Sequence, residues 1–121
     1  MRAELKSLDS ADAPGRLTAF RPDDPEDFAI AIGAVIGPTD APGGDLFYFT
    51  ACTARWLDAN PPQRGFAFLQ GHVVLTRWDS EVFHRAISDL CRRTEGGDWN
   101  EIAVKLSRYG SCEFEDYREA E

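Results

Sequence analysis

Asp27-Phe28-Ala29-Ile30-Ala31-Ile32-Gly33-Ala34-Val35-Ile36, followed after a short interval by Leu46-Phe47-Tyr48-Phe49-Thr50-Ala51-Cys52, is the stretch that decides the architecture. In the first run Phe28, Ile30, Ile32 and Ile36 share one parity, while Ala29, Ala31 and Gly33 hold the other. Side chains alternate across a strand, so this pattern predicts a strand over about 27–36 with one bulky core face and one open face of small residues. The interval, Gly37-Pro38-Thr39-Asp40-Ala41-Pro42-Gly43-Gly44-Asp45, has turn chemistry, and a third strand is expected over 46–52. Strand, Gly/Pro turn and strand make a hairpin signal, which favours antiparallel pairing.

Working outward, residues 2–8 alternate as well, with Arg2, Glu4 and Lys6 on one side and Ala3 and Leu5 on the other. They read as a first strand with one wet face. Residues 9–26 hold Asp, Pro, Ala and Gly and read as a loop. Beyond the hairpin, Thr53 is placed to cap a short helix that ends before Asn60-Pro61-Pro62. A fourth strand is expected over roughly 66–77, with Leu69, Val73 and Leu75 inward. Asp79 then caps a helix over about 80–93, with Val82, Phe83, Ala86, Ile87, Leu90 and Cys91 as its apolar stripe. Asp98-Trp99-Asn100-Glu101 resembles a capping box at the start of a last helix, with Trp99, Ile102, Ala103, Leu106 and Tyr109 buried and Gly110 as its stop. A strand-like tail, Cys112–Tyr117, follows. The order β-β-β-(short α)-β-α-α-β predicts an α+β domain: a mostly antiparallel sheet of four to five strands with two main helices packed on one face. The length of 121 residues suits a single domain, 1–121.

Composition narrows the function. Thirteen Lys+Arg against 21 Asp+Glu leave a net charge of −8, which opposes binding to nucleic acid or to anionic membranes and favours a partner protein with a basic surface. The opening Met1-Arg2-Ala3-Glu4-Leu5-Lys6 lacks an apolar secretory core, and no apolar run approaches a membrane span. Three cysteines without a CxxC pair do not read as a disulfide framework, so a reducing cytoplasm is expected.

Catalytic apparatus is sparse. His72, His84, Cys52, Cys91 and Cys112 match no metal-ligand spacing, and Cys52 and Cys91 suit small apolar core positions. No serine sits in a G-x-S-x-G elbow, and the two Gly-Gly pairs lack a phosphate-cradling pattern. Neither a catalytic group nor a cofactor or metal site is expected. A small enzyme or metal protein using these His, Cys or carboxylate residues is one alternative, and a self-assembling structural subunit is another. What stands out is two acidic clusters. Asp23, Asp24, Glu26 and Asp27 form one, and Glu113, Glu115, Asp116, Glu119 and Glu121 form the other.

Several stretches together resemble a known family. They are Ala3-Glu4-Leu5-Lys6-Ser7-Leu8, Asp24-Pro25-Glu26-Asp27-Phe28, Ile36-Gly37-Pro38 and Cys52-Thr53-Ala54-Arg55-Trp56-Leu57. To these add Cys91, Glu95-Gly96-Gly97-Asp98-Trp99, and Lys105-Leu106-Ser107-Arg108-Tyr109-Gly110 leading into Glu113-Phe114-Glu115-Asp116-Tyr117. Taken in order, they resemble the immunity protein 8 family of bacterial polymorphic toxin systems. One departure is Cys112, where that family's pattern leads one to expect an aromatic, usually Trp. The resemblance implies a cytoplasmic protein, not an enzyme, that binds and neutralises a cognate toxin by steric and electrostatic occlusion. Such toxins are often nucleases, whose substrate grooves must be basic. The residues expected to meet the toxin are Glu113, Glu115 and Asp116, then Asp23, Asp24 and Asp27, with Trp56 and Trp78 as anchors if they are exposed.

Overall fold

The structure, a computed structural model, describes residues 1–13 and 15–112. The elements run β1 (Ala3–Asp9), β2 (Ala29–Pro38), β3 (Asp45–Thr53), α1 (Ala54–Ala59), β4 (His72–Leu75), α2 (Ser80–Arg93), α3 (Trp99–Leu106) and β5 (Ser111–Cys112). The α+β class follows the alternation and helix periodicity described above.

The sheet is built on the β2–β3 hairpin, paired antiparallel from Ala29↔Cys52 to Ile36↔Asp45. β1 adds antiparallel to the free edge of β2. Leu5 and Leu8 are three residues apart, so strict alternation would put them on opposite faces. A bulge between Leu5 and Ser7 absorbs the extra residue, and Leu5 pairs with Ile36 while Leu8 pairs with Ala34. Both leucines thereby pack on the core.

The other edge of β3 is shared. β5 pairs antiparallel at Phe47 and Tyr48, and β4 pairs in parallel along Thr50–Thr53. The sheet is therefore mixed, although antiparallel pairing dominates it. The parallel pair follows from α1. The chain leaves β3 at Thr53, returns through α1 and the loop after it, and re-enters alongside β3 in the same direction, as a crossover must.

The inward face of the hairpin carries Ile30, Ile32, Ala34, Ile36, Phe47, Phe49 and Ala51, all buried. Phe83, Ile87, Leu90 and Cys91 of α2, with Ile102, Ala103 and Leu106 of α3, join them in one core. Caps hold both helices. The Asp79 carboxylate accepts from Glu81 N at 3.0 Å and Val82 N at 3.3 Å. Asp98 accepts from Glu101 N at 2.8 Å. Glu101 then reaches back to Gly97 N at 2.9 Å, one residue beyond the reach of an ordinary capping box.

Four expectations fail in detail. Val82 sits at the margin of its stripe and is exposed. Tyr109 lies past the end of α3, where the helical period no longer points it inward, and it too is exposed. Gly110 is not in the left-handed region of a helix stop. It is small because the Phe49 ring lies against it, and a Cβ there would stand 2.6 Å from Cζ. The fourth strand is only His72–Leu75, and Leu69 is exposed outside it.

Candidate functional site

The acidic cluster at 23–27 stands on a firm base. Trp78 is buried, with its ring edge-on to Phe20 at 5.4 Å and to Phe28 at 5.6 Å. Its indole Nε1 donates to Phe20 O at 3.1 Å, and its backbone N donates to Pro25 O at 2.7 Å. One residue, through its ring and its backbone, thus ties the loop to the start of α2. Asp23 and Asp24 are exposed and Asp27 is half-buried. Asp24 also shapes its own turn, accepting from Glu26 N at 2.9 Å through Oδ1 and from Asp27 N at 3.2 Å through its carbonyl. Arg21, the nearest cation in sequence, spends its guanidinium on the carbonyls of Thr18 and Phe20. Among the described residues no acid of this cluster makes an ion pair, although Arg21 and Arg77 line a cleft with Pro22 and Pro25, and Arg55 lines one with Glu26.

Glu113, Glu115 and Asp116 lie outside the described residues. Cys112, just before them, is buried where β5 meets Phe47. Trp78, expected as an anchor if exposed, is a wedge in the core instead. Trp56 is half-buried on α1.

The sulfur and imidazole groups do not converge. All three cysteines are buried, whereas His84 is exposed on α2, its Nδ1 3.3 Å from Ser88 Oγ. Seven residues along one helix did not bring His84 to Cys91, because Cys91 faces the sheet. Burial pushes the Cys91 thiol up to about 11 and raises that of Cys52, the opposite of what a thiolate nucleophile needs. Among the described residues no three His, Cys, Asp or Glu side chains are placed to hold a metal ion. A cleft of about 710 Å³ lies between residues 15–18 and the start of α2, floored by Leu17, Trp78 and Phe83 and rimmed by Arg16, Glu81 and His84.

A second surface feature was not legible in the sequence. Every residue from Asp58 to Gln70 is exposed. Within this loop Phe66 is 62% and Phe68 92% exposed, and their rings contact each other edge-on at 6.3 Å. The base of the loop is fixed. Thr50 N donates to Gly71 O at 2.7 Å, Gln70 Nε2 donates to Ser107 O at 2.9 Å, and His72 N donates to Leu69 O at 3.3 Å. Gly71 packs beside the carbonyls of Tyr48 and Tyr109, two more exposed aromatics. The signal that marks this loop is a pair of glycines. Gly65 and Gly71 both have positive φ, at +84° and +76°, which interrupts any strand through 66–71. The strand expected over 66–77 rests on the shared parity of Leu69, Val73 and Leu75, and the observed strand starts only at His72, directly after Gly71.

What fold and surface together define is an α+β domain that shows the solvent an unpaired acidic cluster and an aromatic loop. The chain belongs to the immunity protein 8 family, whose model matches residues 3–117, and so is an immunity protein with a toxin as its counterpart. No match was found among curated proteins or among solved structures. No helix among the described residues is long and apolar enough to cross a membrane.

Proposed function

We propose that this chain, as one immunity domain over 1–121, binds and neutralises the toxin of a bacterial polymorphic toxin system in the cytoplasm, acting by occlusion and not by catalysis. The observation that carries this reading is the family match, which runs from Ala3 to Tyr117 and takes in both the 23–27 acids and Glu113, Glu115 and Asp116. The toxin presents a basic surface, as a nuclease must in order to hold phosphates. The chain's own charge of −8 repels nucleic acid and anionic membrane and attracts such a surface. Carboxylates without ion-pair partners at Asp23, Asp24 and Asp27 steer the encounter, and the acids Glu113, Glu115 and Asp116 contribute to the chain's negative charge.

Co-expression with the product of the neighbouring toxin-like gene tests the pairing. Restored growth and a co-purifying complex are expected; neither rescue nor complex would sink the reading. The electrostatic part is tested separately. D23N/D24N/D27N and E113Q/E115Q/D116N should each slow association at low salt, with the difference shrinking as salt rises. On-rates insensitive to both charge and salt would remove the steering role while leaving the pairing intact.

A further inference from the structure

We propose that the toxin is anchored by the aromatic loop between α1 and β4, with Phe68 and Phe66 seated in an apolar depression of the toxin whose rim carries carboxylates. This assignment rests on the immunity reading above and deepens it by naming the gripping surface.

The first support is area. Phe66 and Phe68, whose rings touch, together display the equivalent of about one and a half free aromatic side chains, and the backbones of Tyr48 (47% exposed) and Tyr109 (53% exposed) border the root of their loop at Gly71. At about 150–250 Å² each, the two phenylalanines alone give roughly 230–390 Å² of apolar surface. A stable interface needs about 800 Å² per partner, with a buried aromatic centre and a polar rim. The patch therefore supplies the centre of such an interface, and the polar groups around it supply the rest.

The second support is rigidity. Hydrogen bonds at Gly71, Gln70 and His72 fix the root of the loop to β3 and to the end of α3. The entropy lost on docking is correspondingly reduced.

The third support is the charge of the described residues at and around the loop. In a chain with 21 acids, residues 59–72 contain no Asp or Glu and no Lys, yet they hold Arg64 and two phenylalanines. Residues 102–112, whose backbone meets the loop at Ser107 and Tyr109, are likewise free of acids. Arg64 and Arg108 are exposed and have no ion-pair partner among the described residues. Interface centres are enriched in aromatics and Arg and depleted in Lys, Glu and Asp, and this surface has that composition. Its complement is apolar and acidic. A second copy of this chain is a poor occupant: a two-fold contact would bring Arg64 and Arg108 of both copies together. Nucleic acid is disfavoured by the net charge of −8.

The test measures binding of the purified chain to the product of the neighbouring toxin-like gene. F66A/F68A should weaken binding by about 100-fold while leaving thermal unfolding unchanged, because both rings are exposed. R64E/R108E should slow association by about tenfold at low salt. Wild-type binding that F66A/F68A leaves intact overturns this inference alone, and the immunity reading survives. An on-rate unchanged or raised in R64E/R108E also overturns it, because the acidic rim would then be absent. Failure of the wild-type chain to bind overturns both readings. Self-association of the wild-type chain, abolished by F68A in light scattering, would assign the loop to a second copy and overturn the proposal.

Discussion

Residues 10–27 and residues 58–71 are both long, irregular, Pro- and Gly-bearing connections, yet one buries its apolar side chains and the other displays them. The first delivers Ala13 and Leu17 into the core and lays Phe20 against Trp78. Its backbone and side chains are tied along its length. Ser10 Oγ donates to Ala31 O, Ala31 N donates to Asp12 Oδ2 at 3.0 Å, and Pro25 O accepts from Trp78 N. Among the described residues the second is tied to the domain near its two ends, at Asn60 and at Gln70, Gly71 and His72, with a turn bond from Gly65 N to Pro62 O between them and Phe66 and Phe68 touching each other. Loop composition does not separate these two behaviours. What separates them is whether a strand edge and a buried tryptophan stand opposite to receive the loop.

The widest break in that comparison comes from Trp78→Ala. Removing a buried ring that makes two aromatic contacts and a hydrogen bond should cost about 3–5 kcal/mol in urea unfolding. Phe68→Ala removes a comparable ring from the other loop and should change stability by no more than about 0.5 kcal/mol. Equal costs would abolish the distinction.

Gly110→Ala probes the floor beneath the exposed loop. Its Cβ would meet the buried Phe49 ring, and Tyr109 beside it borders Gly71. The strain should cost about 1–3 kcal/mol, seen as a lower denaturation midpoint with an unchanged slope. A neutral result would mean that Phe49 turns freely.

Asp12→Ala sharpens the first loop's side. It deprives Ala31 N of its acceptor, with a loss of about 1 kcal/mol and faster amide exchange at Ala31.

The smallest effect belongs to Glu101, whose carboxyl is held below the usual carboxylate range first by the Gly97 N–H and then by Lys105. A depressed pKa contributes stability that is full above the unfolded value and lost as pH falls through the folded one. Glu101→Gln should therefore lower stability slightly at neutral pH, and the gap from wild type should close in acid. A gap that persists at low pH would assign the role to shape instead of charge.

Several features were legible from local pattern because short-range physics governs them. The parity of Phe28, Ile30, Ile32 and Ile36 needs only the two-residue period of a strand. The caps at Thr53, Asp79 and Asp98 need only a side chain that reaches its own helix start. The acidic cluster at 23–27 was equally visible, since charge is a property of composition. The parallel placement of β4 was not legible, because pairing direction depends on where a crossover returns the chain. Leu69 and Tyr109 depart from their neighbours' periodicity because Gly71 and the end of α3 break it.

By itself the sequence determined an acidic α+β chain, its helix starts, its core-facing parities and its likeness to a family of immunity proteins. Only the tertiary structure decided that Trp78 is a wedge, that Cys91 and His84 part company, and that Phe66 and Phe68 face solvent. Period and capping are settled by neighbours a few residues away. Exposure depends on what the rest of the chain brings opposite, and residues 58–70 of this protein are left exposed.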